Sequence, residues 1–219
     1  MSVVFDCSDP AARSAGRNAA IGAARGGRLV VLPTDTVYGI GCDAFDSEAV
    51  ASLLEAKGRG RDMPVPVVVG SWHTIDGLVR SVSVEARELT QAFWPGGLSI
   101  VVEQAPSLAW DLGDAAGTVM LRMPLHPVAI EVLREVGPMA LSSANVSGRP
   151  PATTAAQAQE QLGDRVSVYL DGGPAAKAVP STIVDLSGDV PRILREGAIT
   201  AAEIGEVLDM DPTDLVAQQ

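Results

Sequence analysis

Four groups of residues in this sequence carry side chains suited to chemistry on anions. Pro33 to Gly39, PTDTVYG, places two hydroxyls (Thr34, Thr36), a carboxylate (Asp35) and a phenol (Tyr38) directly after the apolar run Leu29 to Leu32. Polar groups at the end of a buried strand are where open α/β sheets hold ligands, although Pro, Thr, Asp and Gly also make ordinary turns. Lys57, Arg59 and Arg61 form a cationic cluster in an otherwise acidic chain. They could grip a polyphosphate, Arg as a fork and Lys as a point charge; cations at a helix C-terminus are equally what the helix dipole favours. Ser142 to Pro151, SSANVSGRPP, offers hydroxyls, an amide and free backbone donors with few bulky side chains, which suits an anion loop. Arg122 points away from its strand neighbours Leu121 and Met123, so it faces either solvent or a concave site where it pairs with a carboxylate. Arg195, at the end of Ile193-Leu194, reads as an exposed charge at a strand end or as a site cation, and Ser181, at the start of STIVDL, as a hydroxyl that caps the strand or meets a ligand.

These groups need a scaffold, and hydrophobic periodicity supplies one. Asp9 or Ser8 caps a helix with Pro10 in its first turn, running to Gly26-Gly27. Asp46 or Ser47 caps a second, in which Val50, Leu53, Leu54 and Lys57 share a face, placing Lys57 near the inward stripe. Further helices are expected over 83–93, 127–136, 153–162 and 201–208. Strands are expected over 29–32, 65–69, 98–102, 118–123, 139–141, 166–170, 181–186 and 192–194. Pro66 suggests that 65–69 lies at a sheet edge. Gly39 and Gly41 read as residues for a sharp turn or a close approach to a ligand. Interleaved helices and strands indicate an α/β sheet. The missing helix between 166–170 and 181–186 makes part of that sheet antiparallel. Residues 209–219 read as a polar, frayed tail, so the expected domain is 1–208.

Composition excludes several classes. The chain has 219 residues, 47% hydrophobic, with 27 acidic against 16 basic residues and a net charge of -11. That balance argues against a broad nucleic-acid face, so direct nucleic-acid binding is expected to be weak or absent; a local basic pocket remains compatible with it. Cys7 and Cys42 imply no disulfide framework and a reducing, cytoplasmic setting. With His73 and His126 they give no zinc-ligand spacing. His126, before Pro127, reads as a helix-start residue and His73 as structural. The amino terminus lacks a signal-peptide pattern, and no apolar run approaches the ~20 residues of a membrane span.

Taken together, PTDTVYG, KGR (57–59), TVMLRMPLHP, SSANVSG, PSTIVDL and ILREG, in this order over about residues 15–208, resemble the YrdC-like family of L-threonylcarbamoyladenylate synthases. The resemblance implies a twisted mixed parallel/antiparallel α/β sheet with flanking helices and a deep, locally positive concave cavity. It implies condensation of L-threonine, bicarbonate and ATP into threonylcarbamoyl-AMP and pyrophosphate, with Mg²⁺ accompanying ATP. The product would pass to a tRNA threonylcarbamoyltransferase complex that modifies adenosine 37. Carried over by position, Lys57, Arg59, Ser143 and Asn145 would serve catalysis and hold ATP with Arg195 and Thr118. Thr34, Tyr38, Arg122 and Ser181 would hold threonine. Metal ligands are not implied. The chain resembles the short, single-domain form, and it carries Val67-Val68-Val69 where relatives often have a histidine. YrdC-like domains have also been regarded as double-stranded RNA binders, and a paralogue adenylating another carbamoyl substrate is a third reading; the acidic balance favours the enzyme over the RNA binder.

Overall fold

The computed structural model describes residues 2–176 and 178–216. Its first strand is β1 (Val3–Asp6), followed by helix α1 (Pro10–Arg25). Asp9 accepts from the Ala11 amide and Pro10 opens the helix, as the capping pattern requires. β2 (Val30–Leu32) and β3 (Gly39–Asp43) flank the PTDT segment. α2 (Ser47–Lys57) starts on Asp46 and stops at Gly58, whose φ of 60° lies in the left-handed region. β4 (Val67–Val68), α3 (Ile75–Leu78), α4 (Val84–Phe93), β5 (Leu98–Glu103) and β6 (Thr118–Arg122) follow. Then come α5 (Pro127–Val136), β7 (Met139–Ser143), α6 (Ala155–Leu162), β8 (Val168–Asp171), β9 (Thr182–Asp185), β10 (Arg192–Arg195), α7 (Ala201–Leu208) and α8 (Pro212–Leu215).

The strands form one mixed sheet in the order β1-β8-β2-β3-β7-β4-β6-β5-β9-β10. β8 and β9 are not neighbours; the antiparallel pairs are β2–β3, β3–β7, β4–β7, β5–β6 and β9–β10. β4 is central rather than at an edge. Pro66 stands just outside it, where its missing donor costs no ladder bond and its carbonyl accepts from Leu141 N–H (2.9 Å). Gly39 and Gly41 form strand, not a turn: a Cβ on Gly39 would collide with the Leu141 side chain and one on Gly41 with the Ala140 carbonyl (2.6 Å), so the absent side chains make room for the neighbouring strand. The tail is ordered through Val216. Leu215 is fully buried and Val216 bridges to Ile193; residues 217–219 of the expected frayed tail lie outside the described residues.

Apolar side chains pack on both faces of the sheet. On one face α1 and α5 cover β8, β2 and β7 through Ala20, Ala24, Val132, Leu133, Val30, Leu32, Leu141 and Leu170. On the other, α2, α4, α6 and α7 close over Ile40, Val67, Leu98, Ile100 and Leu121. The α1/α5 layer stops short of β6, β5 and β9, leaving their polar-facing residues on an open stretch of that face. Among the described residues, no helix is long and apolar enough to cross a membrane.

Candidate active site

That open stretch is a cavity of about 230 Å³. Its floor is a single row across five strands. Val68 of β4 lies opposite Arg122 of β6, and Ser99 of β5 lies opposite Ile183 of β9, which lies opposite Arg195 of β10. Leu121 is opposite Ile100 in an antiparallel ladder, so Arg122 and Ser99 stand side by side at the next rung. All five line the cavity. Ser99 is the polar residue in Leu98-Ser99-Ile100-Val101-Val102, and strand alternation turns it to this face while Leu98 and Ile100 enter the core. A register shift between Ile193 and Arg195 brings Arg195 opposite Ile183; without that bulge Leu194 would take the position.

Arg122 is buried, and three of its five N–H groups are spent. Nε donates to the Gly96 carbonyl (2.9 Å), Nη1 to Thr36 Oγ1 (2.8 Å) and Nη2 to Asp35 Oδ1 (2.7 Å). Arg195 donates from Nε and Nη2 to the Ser181 carbonyl (3.1 and 2.8 Å), and Ser181 Oγ lies 2.9 Å from Ser99 Oγ. Arg59 makes only long bonds, to Ser142 Oγ (3.3 Å) and the Pro64 carbonyl (3.2 Å), and its buried Nε has no partner. Desolvation pushes all three guanidinium pKa values down, with Asp35 opposing the shift at Arg122. Among the described residues no carboxylate lines this cavity. In a chain of net charge -11 it is a local basin of positive charge.

Of the residues expected at the site, Thr34, Tyr38, Arg59, Arg122, Ser143, Ser181 and Arg195 line it together. Lys57, Asn145 and Thr118 do not, and the Tyr38 hydroxyl is engaged by the protein itself. Lys57 lies beneath the SSANVSG loop, its ammonium donating to the Ser143 and Asn145 carbonyls and reaching Asn145 Oδ1 (3.4 Å). Burial, then Arg59, lowers its pKa to about 8. Asn145 is likewise turned into its own loop, donating to the Val146 and Arg149 carbonyls. These two residues brace the SSANVSG loop from inside rather than present themselves to the cavity. Tyr38 reaches the wall, but its hydroxyl donates to the Gly173 carbonyl (2.6 Å) and accepts from Gly172 N–H (3.1 Å), with Asp171 Oδ1 at 3.3 Å. Burial pushes that phenol pKa up, and the group is committed to the turn after β8. Thr118 stands four residues before Arg122 on β6, beside Arg80, Glu103 and Ser187 in a separate depression. A strand advances ~3.3 Å per residue, so Thr118 shares the face but not the cavity.

Asp35, Thr36 and Ser142, which belong to the PTDTVYG and SSANVSG motifs but have no substrate role by resemblance, stand at the site too, and so does Ser99, which no motif marks. Thr36 and Asp35 carried a signal, since they sit within PTDTVYG; Ser99 carried only its polarity in an apolar strand. Val68 presents an apolar surface where relatives are expected to have histidine. His126, as expected, precedes α5, and its buried Nδ1 has no partner.

Fold and cavity define an α/β protein with a cavity lined by three arginines on one face of a mixed sheet that has ten strands among the described residues. The Sua5/YciO/YrdC family model, described as telomere recombination, matches residues 23–197, and the chain belongs to that family. A putative threonylcarbamoyl-AMP synthase from Mycobacterium tuberculosis is 67% identical over 98% of this chain and 99% of its own. The threonylcarbamoyl-AMP synthase of Pyrococcus abyssi is 36% identical over 86% of this chain but 56% of its own length. The crystal structure of P. abyssi Sua5 complexed with L-threonine superposes with a TM-score of 0.88 at 33% identity, covering 94% of this chain and 61% of that one. This chain therefore spans about 60% of the Pyrococcus protein. E. coli YciO, at 21% identity and a TM-score of 0.80, shares the fold.

Proposed function

We propose that this chain is a threonylcarbamoyl-AMP synthase, condensing L-threonine, bicarbonate and ATP with release of pyrophosphate. The observation that carries the proposal is a cavity lined by Arg59, Arg122 and Arg195 and, among the described residues, by no carboxylate. The names of the full-length mycobacterial relatives and the threonine bound to the Pyrococcus neighbour support it.

Arg122, held by three acceptors, keeps two N–H groups for the amino acid's carboxylate. Arg59 and Arg195 hold the phosphates, with Ser142 and Ser143 at the loop. Threonine's amine and CO₂ from bicarbonate form a carbamate, whose oxygen attacks the α-phosphorus of ATP; the bond to the β-phosphate breaks and pyrophosphate leaves. No covalent nucleophile is required. The residues position the reactants and neutralise charge on the transferring phosphorus. Mg²⁺ enters as part of the ATP substrate. With no carboxylate on the cavity wall among the described residues, phosphate oxygens and water would hold it.

The adenylate would pass to a tRNA threonylcarbamoyltransferase complex. A cytoplasmic setting is supported by two buried, unpaired cysteines, and the acidic balance is the reason to expect little direct affinity for tRNA. Incubation with ATP, bicarbonate and each amino acid in turn tests the proposal. Pyrophosphate release and threonylcarbamoyl-AMP by mass spectrometry are expected with threonine; release without that product, or with every amino acid alike, would overturn it.

A further inference from the structure

The three guanidinium groups in the cavity are not equivalent. Arg122 is in an ion pair with Asp35 at 2.7 Å, both side chains about nine-tenths buried. Asp35 Oδ1 is anchored in turn by Leu125 N–H at 2.8 Å. Arg59 and Arg195 donate only to uncharged oxygens, and among the described residues neither has a carboxylate within 4 Å. Asp35 itself is absent from the wall of this cavity; it stands behind Arg122 and faces a neighbouring one of about 470 Å³, with Thr34 shared between the two. The cavity thus holds two cations without an ion pair, Arg59 feeling Asp62 only through space, and one neutralised by direct contact.

The reaction proposed above brings two kinds of anion into this space: a carboxylate of one negative charge and a polyphosphate of three or four. A polyphosphate is drawn by net charge, so it prefers the unpaired arginines and is repelled by Asp35 at the third. A carboxylate can use the two remaining N–H groups of Arg122 for their geometry. We propose that Asp35 sorts these anions, keeping phosphate groups off Arg122 and reserving that guanidinium for the amino acid. It is a specificity residue that acts through Arg122, and the inference rests on the synthase reading of the same cavity. Discrimination comes from an element unfavourable to the wrong ligand as well as from one favourable to the right one.

Asp35→Asn removes the charge and keeps an oxygen to accept from Arg122 and from Leu125 N–H. Calorimetric titration of the threonine-free protein with pyrophosphate, and its repetition with threonine present, reads the sorting without turnover. In the wild-type chain pyrophosphate and threonine should bind independently. In the Asn variant pyrophosphate should bind about tenfold more tightly, on the scale of one charge-assisted hydrogen bond, and should compete with threonine. In turnover, KM for threonine should rise while KM for ATP holds or falls. A purely structural role for Asp35 cannot produce this gain in pyrophosphate affinity. An Asn variant that folds with wild-type pyrophosphate affinity and no competition overturns the proposal. If the Asn variant does not fold, Arg122→Gln decides: pyrophosphate affinity should be unchanged, and a tenfold loss overturns it. Failure of the synthase reading itself would show separately, as wild-type protein that makes no threonylcarbamoyl-AMP.

Discussion

Tyr38 offers the sharpest test of residue roles at this site, because its position in PTDTVYG and its geometry point to opposite outcomes. The resemblance places its hydroxyl on threonine; the structure places it on the Gly172–Gly173 turn, with the ring fully buried. Tyr38→Phe keeps the ring and deletes one oxygen. The Gly173 carbonyl loses its donor and the Gly172 N–H its acceptor, while Asp171 still accepts from Gly173 N–H (2.9 Å) and holds part of the turn. A net hydrogen bond contributes about 0.5–1.5 kcal/mol, and an orphaned buried partner costs about 1–3 kcal/mol, so the loss should be about 2 kcal/mol. For a chain of this size each kcal/mol moves Tm by about 2–4 °C. The variant should therefore melt about 4–8 °C lower in differential scanning calorimetry. Well below that transition, KM for threonine should stay within about threefold of wild type, less than the tenfold or more expected from losing a bond to substrate. An unchanged Tm together with a tenfold rise in KM for threonine would refute the reasoning and return Tyr38 to the substrate.

Other outcomes follow from the same geometry. Arg59→Ala should weaken ATP binding ten- to a hundredfold by calorimetry, a loss of about 1.5–3 kcal/mol, with little change in Tm, because its protein bonds are long and its Nε is unpartnered; a large fall in Tm with intact affinity would make it structural. Lys57 has a native pKa near 8 against 10.5 in the unfolded chain, so between these values the unfolded state binds more protons and stability rises with pH. The stability of wild type relative to Lys57→Met should accordingly increase by about 3 kcal/mol between pH 7.5 and 10.5 in urea unfolding; a flat difference would contradict the buried-ammonium geometry. Threonine should exceed serine and far exceed valine in kcat/KM, because a lost methyl costs only about 1–3 kcal/mol whereas a site built around a hydroxyl rejects its absence more strongly. Equal turnover of valine would remove the threonine assignment.

The sequence by itself determined most of the elements and half of the site. Helix limits were legible because Asp9, Asp46, Ser83 and Thr200 cap locally, and a cap involves only its own first turn. The family motifs marked Thr34, Arg59, Arg122, Ser143, Ser181 and Arg195, which the fold gathers. Strand partners were not legible. The ladder bonds of β4 depend on β6 and β7, more than 50 residues away, and a two-residue strand after Pro66 reads as an edge until those neighbours are placed. β3 was hidden because its glycines make room for Ala140 and Leu141 on another strand. Side-chain commitment was equally non-local. The Lys57 ammonium is satisfied by carbonyls 86 and 88 residues away, the Tyr38 hydroxyl by a turn 135 residues away, and Arg122 by Asp35 at a separation of 87. Residue type shows which hydrogen bonds a side chain can make; only the packed chain decides which of them are already made, and so which groups remain free for a ligand.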